Sequence, residues 1–319
     1  MKTQKNTIKI LIVGLGGVGG FYGGLLAKQF EESDAVQICF LARGAHLKAI
    51  QEKGLSVYNK EEHFVAKPFI ASSNTSEIGV VDYIFLCTKD YDLENTLQQI
   101  QPCIGAETVL IPLLNGVKAF EEIEKAFPTH EVWKGCTYIV SRLVAPGIIE
   151  NKSGRQRIVF GLDSGLTTRM LEFEKLLKAS GIRATATAVI TTEIWEKYIL
   201  VSTSATATTY FNVTIGQVMN EHATAIQLLL EEAVSLARAK GVVLESTIVN
   251  TITDRLKAIP GDSTTSMHSD YLAGKDSTEL NIMTGYFVKE ASLYGLTLPT
   301  YTLMLQSLQD RKGAAYLGL

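Results

Sequence analysis

The hydrophobic pattern divides the chain into two parts with different periods. Up to about residue 188, short apolar runs typical of strands buried on both faces alternate with polar loops and helical stretches. The predicted strands are 8–13, 36–42, 55–58, 64–70, 80–88, 108–114, 132–144, 157–162 and 182–187, with an amphipathic helix at 166–179. This order predicts an α/β fold with a doubly wound, Rossmann-type parallel sheet, with an antiparallel edge as one option.

Three glycines follow the first apolar run in the spacing G-x-G-x-x-G, as Gly14, Gly16 and Gly19. In this motif the glycines permit a tight turn, a close backbone approach to a pyrophosphate, and close packing of the next helix. The helix N-terminus then offers free N–H groups to the anion. A loop that merely turns the chain is the alternative, but a strand precedes this motif and a helix follows it. We therefore predict a dinucleotide site at Gly14, Leu15, Gly16, Gly17, Val18 and Gly19.

Three polar residues follow predicted strands at the end where parallel sheets bind ligands. Arg43 follows the second strand, where an acid would suit the ribose hydroxyl of NAD and an arginine suits the 2′-phosphate of NADP. Lys89 and Asn115 follow two later strands. We predict NADP(H) as the cofactor and a site role for all three. The alternatives are a solvated arginine and, for Asn115-Gly116, an ordinary turn.

From residue 189 onward, helical periodicity replaces the strand pattern, with predicted helices at 191–203, 223–240, 247–258, 278–294 and 300–309. We therefore predict a dinucleotide-binding domain over 1–188 and an all-helical domain for substrate binding and dimerisation over 189–319. A homodimer is a possible assembly, because helical second domains of this kind commonly carry oligomer contacts.

Composition and charge exclude several classes of function. The net charge of −3, without a basic run, argues against nucleic-acid and anionic-membrane partners. No stretch approaches the ~20 apolar residues of a membrane span, and the start of the chain does not fit a signal peptide. The four cysteines form no C-x-x-C pair and the five histidines form no ligand pattern. We therefore predict a cytoplasmic protein without a metal site.

Two charged residues of the second part are candidates for hydride chemistry. Lys197 ends the segment EIWEK, and Glu279 lies in STELN. A hydride acceptor needs a group that protonates its developing alkoxide, and a lysine can supply that proton. On the pattern alone, the simpler interpretations are an exposed lysine paired with Glu193 and a first-turn glutamate favoured by the helix dipole.

In the order of these motifs the chain resembles the ketopantoate reductase (2-dehydropantoate 2-reductase) family, from the first strand to about Tyr301. The matching pieces are the glycine motif, Arg43, Lys89, Asn115-Gly116, the segment 193–197, Ser266-Met267 with Asp270, Thr278-Glu279-Leu280 and Gly285.

The resemblance implies NADPH-dependent reduction of 2-dehydropantoate, a small 2-keto acid, to pantoate in pantothenate and coenzyme A biosynthesis. Lys197 would be the general acid, and Glu279 would bind the substrate or product hydroxyl and help hold the lysine charged. Asn115 would orient the lysine and the substrate, and Ser266 would bind the substrate carboxylate. The two basic residues at the strand ends would serve the cofactor phosphates or ribose.

The chain departs from this family along the helix that carries Lys197. Family members that act on ketopantoate usually have asparagines four and eight residues after the lysine, where this chain has Val201 and Ala205. Losing such partners can change substrate specificity, and Ser204 near the same face is a candidate replacement. A reductase of another branched or hydroxylated 2-keto acid is therefore a second hypothesis. A non-catalytic NADP(H) sensor is a third, against which the retention of Lys197 and Glu279 speaks.

Overall fold

The computed structural model describes residues 7–275 and 277–316, with only the backbone for 312–316. By its internal contacts the chain forms two compact units. The first holds the residues up to Leu114 together with Lys118–Ile190, and the second holds Asn115–Val117 together with the chain from Thr191 onward. The predicted boundary treats each domain as one continuous segment, whereas the tripeptide Asn115–Val117 packs with the second unit.

The first unit contains thirteen strands and six α-helices among its described residues. The strands are β1 Ile8–Val13, β2 Val36–Leu41, β3 Leu55–Asn59, β4 Glu62–Ala66, β5 Ile70–Ser72, β6 Val81–Leu86, β7 Ile104–Pro112, β8 Glu131–Val132, β9 Lys134–Ile139, β10 Arg142–Ala145, β11 Ile148–Asn151, β12 Gln156–Gly161 and β13 Ala184–Thr187. The helices are α1 Gly17–Phe30, α2 Gly44–Lys53, α3 Thr75–Ile78, α4 Leu93–Gln99, α5 Lys118–Ala126 and α6 Thr168–Ala179.

The main sheet has six parallel strands in the order β5-β2-β1-β6-β7-β8. Numbered by their occurrence within this sheet, the strands run 3-2-1-4-5-6, which is the order of dinucleotide-binding folds. Successive residues of β1 enter two different cores, since Ile10 and Ile12 pack on one side and Leu11 and Val13 on the other. Burial on both faces explains the uninterrupted apolar run, and the predicted Rossmann-type sheet is confirmed.

The remaining strands form two smaller sheets and not an antiparallel edge of the main one. The predicted strand 64–70 is split into β4 and β5 around Pro68, which lacks the N–H that a continuing ladder needs. Hairpin β3–β4 joins β10 and β11 in one sheet, and β9, β12 and β13 form another. The predicted strand 132–144 is likewise divided among β8, β9 and β10.

The second unit is helical. Its helices are α7 Ile190–Phe211, α8 Ile215–Glu221, α9 Ala223–Ala239, α10 Ile248–Lys257, α11 Ser266–Leu272, α12 Tyr286–Leu293 and α13 Pro299–Tyr316. Helix α7 runs past the predicted end at 203, and α8 and α11 were not predicted. The predicted helix 278–294 begins instead with a π-helical turn, Asn281–Gly285, which continues directly into α12. In the part of the chain that the structure describes, no helix combines the length and apolarity needed to cross a bilayer.

Candidate active site

The carboxyl ends of the central strands are level with one another. Val13 at the end of β1 pairs with Leu41 of β2 and with Leu86 of β6, and Leu86 pairs with Pro112 of β7. The loops that follow therefore leave the sheet at one edge, where this fold binds ligands. The structure thus brings the segments carrying the glycine motif, Arg43 and Lys89 to a common edge.

Two of the three motif glycines are required by the protein itself. Gly14 has φ +84°, and a Cβ there would lie 2.7 Å from the backbone nitrogen of Thr88. A Cβ on Gly19 would lie 2.3 Å from the carbonyl oxygen of Gly14. The turn and the close packing of α1 on the strand, which the motif predicts, are both present.

Gly16 is different, because nothing in the protein requires a glycine at this position. It caps α1 with φ −72°, which any L-residue adopts, and a Cβ added there would meet no atom within 4 Å. The first turn of α1 carries no acidic residue. An open space over the N-terminus of a helix without an acid fits a pyrophosphate, so the residues present fit a dinucleotide cofactor.

The other residues predicted to bind the cofactor are placed as follows. Leu15 is buried and Val18 packs against the core, so both offer a ligand their backbone more than their side chains. A Cβ on Gly17 would overlap the carbonyl oxygen of Ser141 at 2.2 Å. Arg43 is exposed at the N-cap of α2 and makes no capping hydrogen bond, and Lys89 is partly exposed just beyond β6. Their roles toward a cofactor stay predictions.

Four residues that are distant in sequence form one hydrogen-bonded chain, which we call the Lys197–Glu279 cluster. Lys197 Nζ donates to Asn115 Oδ1 at 3.0 Å, and Asn115 Nδ2 donates to Glu279 Oε1 at 3.4 Å. Ser266 Oγ, at the start of α11, donates to Glu279 Oε2 at 3.4 Å. The structure therefore assembles three predicted catalytic residues and the predicted carboxylate-binding serine within the second unit.

The cluster places opposite charges in a buried environment. Lys197 is 9% exposed and Glu279 is 6% exposed. An isolated buried charge is very costly, so the ammonium and the carboxylate, linked through one amide, compensate each other. The observed burial differs from the exposed lysine paired with Glu193 that the helical pattern alone suggests. A buried ammonium that is linked to a carboxylate through an amide can donate a proton to a bound oxygen atom.

The three further positions predicted to bind substrate lie on α7. Val201 is partly exposed, one turn beyond the lysine, and Ala205 is buried. Ser204 Oγ donates to the carbonyl oxygen of Leu200 in its own helix at 2.8 Å. This hydroxyl therefore has only acceptor electron pairs left to offer a ligand. Within residues 7–275 and 277–316, no group of three or more His, Cys, Asp or Glu side chains is arranged to hold a metal ion.

Sequence reasoning missed two hydroxyl residues of α7, Tyr198 and Ser202, that contact the π-helical turn after Glu279. The signal in the sequence was the four-residue spacing of these hydroxyl side chains, which places them on one face of a helix. The spacing alone does not show which segment they contact, and the structure identifies it as the π-helical turn.

Comparison with known proteins gives consistent matches over most of the chain. The model for ketopantoate reductase PanE/ApbA matches residues 10–165, and the model for the ketopantoate reductase PanE/ApbA C terminal matches residues 189–312. The structure of 2-dehydropantoate 2-reductase from Porphyromonas gingivalis W83 is 37% identical, with a TM-score of 0.84 and coverage of 95% of this chain and 99% of that one.

Two further similar proteins carry different names. The uncharacterized oxidoreductase YkpB of Bacillus subtilis is 27% identical over 95% of this chain and 98% of its own length. A ternary structure of D-mandelate dehydrogenase with NADH and anilino(oxo)acetate is 23% identical, with a TM-score of 0.83 over 96% of this chain and 99% of that one. At this identity the likeness to the dehydrogenase establishes the fold alone.

Proposed function

The chain belongs to the ketopantoate reductase family of oxidoreductases, and we propose that it reduces 2-dehydropantoate to pantoate with NADPH, a step of pantothenate and coenzyme A biosynthesis. The observation that supports this proposal is the Lys197–Glu279 cluster, which links a buried lysine ammonium through Asn115 to a carboxylate and a serine hydroxyl.

The cofactor would be held by the first unit. The backbone of the glycine motif, with the open space at Gly16, would take the pyrophosphate, and Arg43 and Lys89 would contact its phosphates or ribose. When bound, the reduced nicotinamide supplies a hydride to carbon 2 of the substrate.

Lys197 would donate the proton that the ketone oxygen needs as it becomes an alkoxide. The amide of Asn115 accepts from this ammonium through Oδ1 and donates to Glu279 through Nδ2, so it fixes the direction of the lysine side chain. Glu279 compensates the lysine charge and can accept a hydrogen bond from the product hydroxyl. A buried donor acts strongly on a developing negative charge because no water screens it.

Arg43 supports NADPH over NADH, and a charge reversal tests this preference. We expect Arg43→Glu to raise the KM for NADPH about tenfold or more while the KM for NADH changes little, because a 2′-phosphate loses its cation and meets an anion. Lys53→Glu, in the last turn of the same helix, is the matched control. Equal effects of both variants on the two cofactors would contradict a phosphate contact at Arg43.

The substrate is tested with two 2-keto acids that differ by a single hydroxyl group, ketopantoate and 3,3-dimethyl-2-oxobutanoate. A site that hydrogen bonds a substrate hydroxyl rejects the analogue that lacks it by about 10⁴-fold in kcat/KM, whereas an apolar pocket discriminates by roughly 10–200-fold at most. A large preference for ketopantoate supports the proposal. Cofactor binding without turnover of any 2-keto acid would instead support an NADP(H) sensor.

A second candidate function is reduction of a 2-keto acid with an apolar side chain. Along the face of α7 that begins at Lys197, the side chains of Val201 and Ala205 are apolar. The Ser204 hydroxyl on the same side donates its hydrogen bond to the backbone carbonyl oxygen of Leu200. Beyond Lys197, the positions 201, 204 and 205 of this face therefore offer no side-chain donor to a substrate hydroxyl. The candidate predicts nearly equal kcat/KM for the two acids, or a preference for the analogue without the hydroxyl.

Introducing an amide at Val201 distinguishes these two candidates further. We expect Val201→Asn to raise the kcat/KM ratio of ketopantoate to its dehydroxy analogue about tenfold, because the amide adds one hydrogen-bonding partner. Val201→Leu keeps an apolar side chain and should leave the ratio within about twofold. An unchanged ratio in Val201→Asn would mean that this position does not contact the substrate.

A homodimer stays a prediction, which sedimentation of the purified protein would test.

A further inference from the structure

Helix α7 carries three hydroxyl side chains, at four-residue spacing, immediately beside the positions of Lys197, Val201 and Ala205. Residues four apart lie on one helix face. These hydroxyl groups contact three successive residues of the π-helical turn Asn281–Gly285. The contacts are Tyr198 Oη to the Ile282 carbonyl oxygen at 2.5 Å, Ser202 Oγ to the Met283 carbonyl oxygen at 2.5 Å, and Thr206 Oγ1 to Thr284 Oγ1 at 2.8 Å.

The π-helical turn differs from an α-helix in its backbone hydrogen bonds. Its widened hydrogen-bond ring shifts the pairing of backbone carbonyls away from the ordinary four-residue pattern. Ser202, Thr206 and Thr284 are fully buried, so hydroxyl groups of the protein serve the turn where bulk water does not reach. Tyr301, whose hydroxyl lies 2.8 Å from Ser202 Oγ, extends this buried network.

The same turn holds the backbone of Glu279. The carbonyl oxygen of Glu279 accepts hydrogen bonds from the N–H groups of Ile282 at 3.1 Å and Met283 at 2.8 Å. Ile282 and Met283 therefore bind Glu279 through their N–H groups and α7 through their carbonyl oxygens. The hydrogen bonds therefore lead from Lys197 on α7 through Asn115 to Glu279. From Glu279 they return through Ile282 to Tyr198, the residue after Lys197 on the same helix.

We propose that Tyr198 and Ser202 are positioning residues, whose hydroxyl groups hold the π-helical turn so that Glu279 stays aligned with Asn115 and Lys197. The inference rests on the proposed roles of Lys197 and Glu279 in proton donation. Neither hydroxyl touches the reacting atoms in this role. Each acts through the turn, so its removal changes the alignment of the carboxylate and leaves the chemical groups of the cluster in place.

The test compares two tyrosine variants that each remove one buried hydroxyl. Tyr198→Phe keeps the ring contacts to Trp195 and Phe287, at centroid distances of 5.8 Å and 4.9 Å, and loses only the donor. Tyr286→Phe is the matched control, because this tyrosine is similarly buried, packs its ring against Tyr198 at a centroid distance of 5.7 Å, and lies with its ring 5.6 Å from Lys240 Nζ. Ser202→Ala is a second variant that removes a donor to the neighbouring carbonyl.

We expect Tyr198→Phe to lower kcat about tenfold with KM and cofactor affinity within about twofold, because misalignment affects the proton transfer more than binding. Ser202→Ala should act in the same direction, and Tyr286→Phe should leave kcat within about twofold. A wild-type kcat in Tyr198→Phe, or an equal loss of kcat in Tyr286→Phe, overturns the inference.

Amide hydrogen exchange of the peptide that spans 279–286 gives a readout without turnover. We expect faster exchange in Tyr198→Phe than in the wild type or in Tyr286→Phe, because the turn opens more often without its donor. Unchanged exchange in Tyr198→Phe overturns the inference whether or not the protein reduces a 2-keto acid. Faster exchange in a protein that reduces none would support the positioning of Glu279 and reject the assigned reaction.

Discussion

Lys197→Met is expected to lower kcat about 10³-fold, the largest effect of any single substitution that we predict. Methionine retains most of the volume of the side chain but cannot protonate an alkoxide. The affinity for NADPH should stay within about twofold, because Lys197 is not among the residues proposed to hold the cofactor. Steady-state kinetics and cofactor titration of the same preparation check both expectations.

A second lysine–glutamate pair in the same unit, which is partly exposed, supplies the control. Lys240 Nζ lies 2.6 Å from Glu290 Oε2, with side-chain exposures of 14% and 15%. Lys240→Met should destabilise the protein by about 1–2 kcal/mol, because it leaves a partly buried carboxylate without its ion-pair partner, yet should retain kcat. If Lys240→Met lost as much activity as Lys197→Met, the effect at Lys197 would reflect folding and not proton donation.

A double variant distinguishes the effect of charge compensation on stability from the effect of proton donation on activity. Removing the lysine alone leaves Glu279 as an uncompensated buried carboxylate. Lys197→Met combined with Glu279→Gln removes both charges and should recover thermal stability while the enzyme remains inactive. Recovery of activity in the double variant would exclude Lys197 as the proton donor.

Gly16→Asp is expected to weaken NADPH binding by about 10²-fold or more, roughly 2.7 kcal/mol, without destabilising the free protein. Aspartate is a favourable N-cap residue and would stabilise α1, and its Cβ would meet no protein atom. Its negative charge would occupy the space proposed for the pyrophosphate. Stability and cofactor affinity should therefore change in opposite directions, which thermal unfolding and fluorescence titration can measure.

Two comparisons make this prediction specific to the cofactor. Gly16→Asn has nearly the same shape as Gly16→Asp without its charge, so it should weaken binding less. Gly19→Ala places a methyl group 2.3 Å from the Gly14 carbonyl oxygen. This variant should therefore lower the stability of the free protein, in contrast to Gly16→Asp. Wild-type affinity in both Gly16 variants would mean that no pyrophosphate lies over the N-terminus of α1.

Asn115 belongs to the helical unit although it follows a strand of the first unit. Asn115 follows β7 of the first unit by only a few residues, yet it packs with the second unit and bonds to Lys197 there. The side-chain amide of Asn115 therefore takes part in the Lys197–Glu279 cluster, in addition to the turn that an Asn-Gly pair usually indicates.

Much of the fold follows from local sequence pattern. The apolar runs of β1, β2, β6 and β7 identify strands buried on both faces, because burial on two sides leaves no polar positions. The glycine motif indicates where the first strand turns into a helix, since positive φ and close packing at Gly14 and Gly19 tolerate no side chain.

The tertiary structure decided which segments meet. Local periodicity reports the burial of a segment but not its partners, so it could not separate the hairpin β3–β4 from the main sheet or place Asn115 with the helical unit. Nor could it reveal the burial of Lys197 or the π-helical turn beside Glu279, because the contacts of both regions join residues more than eighty positions apart. The sequence by itself determined the sheet, the glycine loop and the candidate charges. Long-range packing alone brought those charges into one cluster.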